Sequence, residues 1–183
     1  MLRLFVALPL PDGVIARLSI MCAGLPGAGW VAPGNMHLTL RFIGEVDESV
    51  AEEIDSLLAH IEVEPFSLEL DGVGTFGEGT KARSVWAAVK PSVELTHLQA
   101  KVESAVVRAG LPPEGRKFTP HVTLAHLSRP HTARLEAFIA GNSLFQAGPF
   151  EIPQFTLFES RLGKGGAAYI PLVDYPLFVP GTN

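Results

Sequence analysis

Two histidines, His37 and His121, each stand two residues ahead of a threonine, Thr39 and Thr123, in the stretches NMHLTLRFIG and FTPHVTLAHL. In a β-strand alternate side chains share a face. Each stretch therefore shows a His-Thr pair on one side and Leu38 with Leu40, or Val122 with Leu124, on the other. Burying such polar groups without partners costs about 1–3 kcal/mol each, so the two polar faces call for a wet groove. Imidazole has an unperturbed pKa of about 6.5, so near pH 7 one ring can take a proton while the other gives one. The threonines add stiff hydroxyl donors suited to anionic oxygens. A mirrored acid, base and pair of hydroxyls, without a cluster of carboxylates and cysteines, suits in-line displacement at a phosphodiester with no metal and no cofactor. A lone strand histidine is more often packed or solvated; its repetition is what points to chemistry.

The elements that must hold these residues repeat as well. His121 lies 84 positions after His37, and the same offset carries Pro65-Phe66 onto Pro149-Phe150. It also carries Val14, Leu18, Met21 and Cys22 onto Leu98, Val102, Ala105 and Val106, the apolar stripe of one helix onto that of another. Two copies of a mixed unit cannot form a solenoid, so the repeat predicts two similar lobes about an approximate two-fold. Helical spacing places helices from Val14 to Leu25, from Val50 to Ile61 with Asp47 or Ser49 as cap, from Val93 to Ala109, and around Leu135 to Ile139. Strands are expected at the opening RLFVALPLP, at both His-x-Thr stretches, at FSLELDGV and RSVWAAVK, and near PFEI, FTLFESRL and AAYIPLV. The Gly-rich GTFGEGTKA reads as a long hairpin loop. It does not open a helix after a strand as a mononucleotide-binding loop must.

With 183 residues the chain suffices for one bilobal domain spanning 1–183 that buries roughly 70% of its unfolded surface. Each lobe is expected to mix helices and strands, with a water-filled groove between the two. The net charge of −5 has the wrong sign for gripping long nucleic acid through its phosphates, yet a local site needs only a few donors. The single cysteine, Cys22, falls on an apolar helical stripe and is expected to pack as a small hydrophobe in a reducing compartment. No apolar run has the length of a membrane span, and the opening run is broken early by prolines, so a cytoplasmic protein is expected. Nothing in the chain sets an oligomeric state; a monomer is the working expectation.

Taken together, RLFVALPLP, HLTLRFIGEV, RSVWAAV, PHVTLAHL and FTLFESRLGKGGAAYIPL resemble the two-histidine phosphoesterase superfamily nearly end to end. Within it the likeness is to the RNA 2',3'-cyclic phosphodiesterases, also called 2'-5' RNA ligases. One His-x-Thr is a weak pattern; two with these flanks are specific. The resemblance implies a bilobal α+β fold, with antiparallel sheets lining a central groove and helices outside, and hydrolysis of RNA ends or nucleotides bearing a 2',3'-cyclic phosphate to 2'-phosphomonoesters. It implies His37 and His121 as the acid-base pair, His121 activating water and His37 protonating the leaving 3' oxygen, with symmetry leaving the reverse open. Thr39 and Thr123 would hold the nonbridging oxygens. Relatives often carry arginine where this chain has His126, so cationic help would fall to Arg41 or Arg129.

Phe76 and Tyr169 could stack on a nucleobase, although packing is the commoner fate of such rings. Arg83 and Arg116-Lys117 are possible phosphate contacts against a default of solvated charge. His126, five residues beyond His121, falls on the opposite strand face if the strand stays regular, and is a further possible substrate contact. His60, His97 and His131 lie at or in helices, where solvated or capping roles are expected. Two other readings use the same groove: a nucleotide- or RNA-end-binding module without turnover, and an ATP-independent 2'-5' RNA ligase or phosphodiesterase.

Overall fold

The computed structural model describes residues 1–181; residues 182 and 183 of the expected domain lie outside the described residues. The chain runs β1 (Leu2–Pro9), α1 (Asp12–Met21), β2 (Gly29–Trp30), β3 (His37–Val46), α2 (Glu48–Ala59), β4 (Phe66–Phe76), β5 (Ser84–Val89) and α3 (Val93–Arg108). It continues through β6 (His121–His126), α4 (Thr132–Gly141), β7 (Gln146–Ile152), β8 (Gln154–Gly163) and β9 (Gly166–Pro176). The strands form two antiparallel sheets, one in the order β3-β1-β8-β9 and the other β2-β6-β5-β4-β7. This is the α+β arrangement expected, and the two sheets share a plan in which the His-x-Thr strand lies beside the strand that opens each half.

The offset of 84 carries the first residue of β3 onto that of β6, and the first residue of α2 onto that of α4. The strands that follow α2 and α4 to close each half are exchanged, however. β4, from the first half, pairs with β5 in the second sheet, while β8, from the second half, pairs with β1 in the first. Helices cover the outer faces. On the first sheet, Tyr175 of β9 donates its hydroxyl to Asp55 of α2 at 2.6 Å, and Gln99 of α3 donates to the Leu40 carbonyl. On the second, Trp30 of β2 meets Phe138 of α4, and α1 touches β7.

Alternation in the His-x-Thr strands builds these layers. Leu38, Leu40, Val122 and Leu124 are buried in the core, whereas His37, Thr39, His121 and Thr123 are only half-buried. At about 25 cal/mol per Å2, burying a leucine contributes roughly 1.5–3 kcal/mol, enough to fix which face turns inward. Each strand then carries one extra residue. Leu40 has no partner between the pairs Thr39–Ala7 and Arg41–Val6, and Leu124 none between Thr123–Trp86 and Ala125–Val85. The two bulges sit 84 positions apart, and each reverses the inward-outward parity of the residues C-terminal to it.

The expected elements were refined in three places. α1 ends at Met21, although Leu25 remains buried beyond it. A two-residue strand, Gly29–Trp30, extends the second sheet beside β6. The Gly-rich stretch is only partly loop, because Gly74 to Phe76 complete β4; a Cβ on Gly74 would lie 2.5 Å from the Trp86 ring, so the missing side chain is what lets the indole cross the strand. Among the helix caps, Asp47 accepts from the Val50 amide at 2.9 Å, and His131 occupies the corresponding position of α4. No helix among the described residues is long and apolar enough to cross a membrane.

Candidate functional site

β3 of one sheet contacts β6 of the other, which brings His121 close enough to His37 for its charge to be felt there. Each imidazole is held in the same way. His37 Nδ1 donates to the Asn35 carbonyl at 2.7 Å, and His121 Nδ1 donates to the Thr119 carbonyl at 2.6 Å. These carbonyls precede their histidines by two residues and are themselves 84 apart. With Nδ1 carrying the proton, Nε2 of the neutral ring is left as the acceptor. At His37 this nitrogen takes a hydrogen bond from the Thr39 hydroxyl at 2.9 Å.

The surroundings of the rings differ. His37 is wrapped by Phe5 at 4.9 Å and Phe158 at 6.2 Å, with Tyr169 edge-on at 5.2 Å. The hairpin that brings Tyr169 is tied down by the Asn35 amide, which donates to the Ala167 carbonyl at 2.9 Å. Burial pushes the His37 imidazole down to about 4; the Asn35 carbonyl opposes this, and the charge of nearby His121 adds to it. His121 meets Phe76 edge-to-face at 4.8 Å and Trp86 at 5.6 Å. Burial lowers its pKa too, opposed by the Thr119 carbonyl. The Trp86 indole Nε1 in this cluster is buried without an acceptor among the described residues.

Beside His121 opens a cavity of about 410 Å3, reaching from Thr39 to the loop ahead of β6. Such a volume accommodates a small organic ligand. Its walls carry Phe42, Phe76 and Phe118, and its mouth carries Arg83, Arg116 and Lys117. The Arg83 guanidinium lies 5.8 Å from the centre of the Phe76 ring.

Of the residues singled out from the sequence, Thr39 and His121 line this cavity, His37 bonds Thr39 and lies close enough to His121 to feel its charge, Thr123 follows two residues after His121 on β6, and Phe76 and Tyr169 pack against the two imidazoles. Arg41 borders the cavity, but the bulge at Leu40 turns it to the buried side. There its guanidinium is engaged by the Glu103 carboxylate and by the carbonyls of Phe42 and Pro112. The same reversal at Leu124 overturns the parity expected for His126. Paired with Ser84 beside Phe76, it returns to the His121 face, exposed at the strand's end and apart from the cavity wall. Arg129 is exposed in the following turn, in the left-handed region with φ 47°.

Sequence reasoning missed Phe42, Gln99, Glu103, Glu114, Phe118 and Thr119 as lining residues. Phe42 has the parity of Leu38 and Leu40, and only the bulge, invisible in the pattern, brings it out to 59% exposure. Arg41 has the parity of His37 and Thr39, so the alternation places it on the polar face; its burial against Glu103 follows from the same bulge.

A family model described as the 2'-5' RNA ligase superfamily matches residues 21–164. The chain is 37% identical to the RNA 2',3'-cyclic phosphodiesterase of Aeropyrum pernix, over 88% of this chain and 94% of that one. It is 31% identical to the RNA 2',3'-cyclic phosphodiesterase of Archaeoglobus fulgidus, over 92% of this chain and 96% of that one. Among solved structures, E. coli LigT complexed with 3'-AMP superposes with a TM-score of 0.80 at 29% identity, covering 96% of this chain and 98% of that one. On these matches the chain belongs to the 2'-5' RNA ligase superfamily, and within it to the RNA 2',3'-cyclic phosphodiesterase family.

Proposed function

We propose that this protein is an RNA 2',3'-cyclic phosphodiesterase, opening the strained ring at an RNA or nucleotide end to a 2'-phosphomonoester and a free 3' hydroxyl without a metal. The observation that carries the reading is the matched anchoring of two imidazoles, each donating Nδ1–H to a carbonyl two residues earlier and keeping Nε2 for proton transfer. In the scheme His121 Nε2, the ring at the more open side, takes a proton from the attacking water. His37 Nε2 gives a proton to the departing 3' oxygen as the P–O3' bond breaks. The Thr39 and Thr123 hydroxyls donate to the nonbridging oxygens.

Both imidazole pKa values are lowered in the free groove, so a proton on either ring is held weakly there. A bound phosphodiester anion favours the imidazolium and restores the acid. Above pH 6.5, kcat/KM should therefore fall as pH rises, while kcat, measured with substrate bound, should hold to higher pH.

The deciding experiment incubates the protein with a nucleoside 2',3'-cyclic phosphate in chelator and assigns the product by phosphorus NMR. A 2'-monophosphate is expected, with His37→Ala and His121→Ala each lowering kcat about 10²–10⁴-fold while the fold persists by circular dichroism. Ordinary turnover in either variant excludes the two-histidine scheme. Tight binding with no product excludes hydrolysis and supports a module that only captures RNA ends.

A further inference from the structure

The cavity beside His121 is larger and more cationic than the opening of one cyclic phosphate ring requires. Four cations border it, Arg41, Arg83, Arg116 and Lys117, against the two carboxylates Glu103 and Glu114, in a chain whose net charge is −5. Arg41 is matched inside the protein by Glu103. Arg116 has only a solvent-exposed contact with Glu114 at 3.3 Å, which at an exposed site contributes little. Arg83 and Lys117 make no ion pair among the described residues. The excess positive charge is therefore concentrated on the rim.

The segment carrying two of these cations is held in place. Glu103, reaching out of α3, accepts from Arg41 with one carboxylate oxygen and from the Glu114 amide at 2.8 Å with the other. Arg41 also donates to the Pro112 carbonyl. The loop from Pro112 to Thr119 is thus fastened at its start to β3 and α3, and its end supplies the carbonyl that anchors His121. Arg116 and Lys117 sit between those two fixed points, displayed over the cavity with aromatic walls on either side. Aromatic faces with neighbouring cations are the pattern of a single-strand nucleic-acid channel.

Resting on the cyclic phosphodiesterase reading, we propose that Arg116 and Lys117, with Arg83, form a subsite for the phosphate on the 5' side of the terminal nucleoside, so that the enzyme selects oligoribonucleotide ends over free cyclic mononucleotides. The terminal nucleoside fills the aromatic cavity, its cyclic phosphate lies at the histidine pair, and the internucleotide phosphate reaches the rim. No bond changes at this subsite; it contributes binding and strand selection.

The test compares adenosine 2',3'-cyclic phosphate with the same compound bearing a 5' phosphate, which is the smallest probe of the subsite. In wild type, kcat/KM should favour the 5'-phosphorylated compound about tenfold or more at low salt, and this ratio should shrink as salt rises. In the double variant Arg116→Gln, Lys117→Gln the ratio should collapse to about one. A wild-type ratio near one, or a ratio that survives the double substitution, overturns the proposal. Calorimetric affinities of both compounds for both proteins are read in parallel. If wild type turns over neither compound, the hydrolytic reading falls. The subsite then stands on whether the 5' phosphate tightens binding in wild type alone, and falls if it does not.

Discussion

The first His-x-Thr strand and the second have the same pairing, the same bulge one residue after threonine and the same carbonyl anchor for their histidines, but the positions beyond the bulge diverge. In β3 they are Arg41, buried and clamped to α3, and Phe42, exposed toward the cavity; in β6 they are Ala125, buried without any charge to match, and His126, exposed. His37 is enclosed by the rings of Phe5, Phe158 and Tyr169, whereas His121 borders an open cationic cavity. Under the proposed function the shared part serves proton transfer, which needs a donor and an acceptor on opposing sides of one phosphorus. On the same proposal the divergent part serves recognition, because an RNA end is not symmetric and only one wall has to meet its strand.

The largest expected effect comes from removing the clamp that only the first strand possesses. Glu103→Gln leaves the buried Arg41 guanidinium without its countercharge and should destabilise the protein by about 3 kcal/mol in urea denaturation, at the low end for a broken buried pair because Glu103 keeps some contact with water. Hydrogen exchange should quicken across residues 112–119 in the same variant. Unchanged stability would mean that the loop carrying Arg116 is not held from below.

The enclosure of His37 sharpens the contrast through pH. Its folded pKa of about 4 lies below the unfolded value of about 6.5, so the unfolded chain binds the proton first and stability falls as pH drops through that window. The loss attributable to His37 is at most about 3 kcal/mol. It should appear as a difference between wild type and His37→Gln that narrows from pH 7 to pH 4. An unchanging difference would place His37 in a better solvated setting than the aromatic rings suggest.

The smallest effects separate the two helix starts. Asp47 and His131, 84 apart, both cap their helices, but the His131 ring accepts from the Arg134 amide at a long 3.4 Å. Asp47→Ala should cost about 1 kcal/mol, His131→Ala a few tenths, and His131→Asp should raise the melting temperature. Equal losses at both alanine variants would remove this distinction between the halves.

The shared features were the ones legible in sequence. Alternation around His37 and His121, the apolar stripes of α1 and α3, and the caps are written within a few residues of each other, and the offset of 84 links them. Long-range compensation was not legible. Nothing local announces that Arg41 finds a carboxylate 62 positions away, or that Gly74 is bare so that Trp86 can lie across it. The bulges were hidden for a related reason. An inserted residue leaves a two-residue alternation intact on each side and shifts only their relationship, so the positions of Phe42 and His126 could be known only from the register.

The traded strands, β4 beside β5 and β8 beside β1, tie competence to completion of the chain. Neither half owns a finished sheet, so a nascent polypeptide that has already released both imidazoles still lacks β8, the strand that brings Phe158 against His37. Activity should switch on abruptly once the C-terminal hairpin docks, and severing the polypeptide at its midpoint should leave two insoluble fragments that regain function only when refolded together.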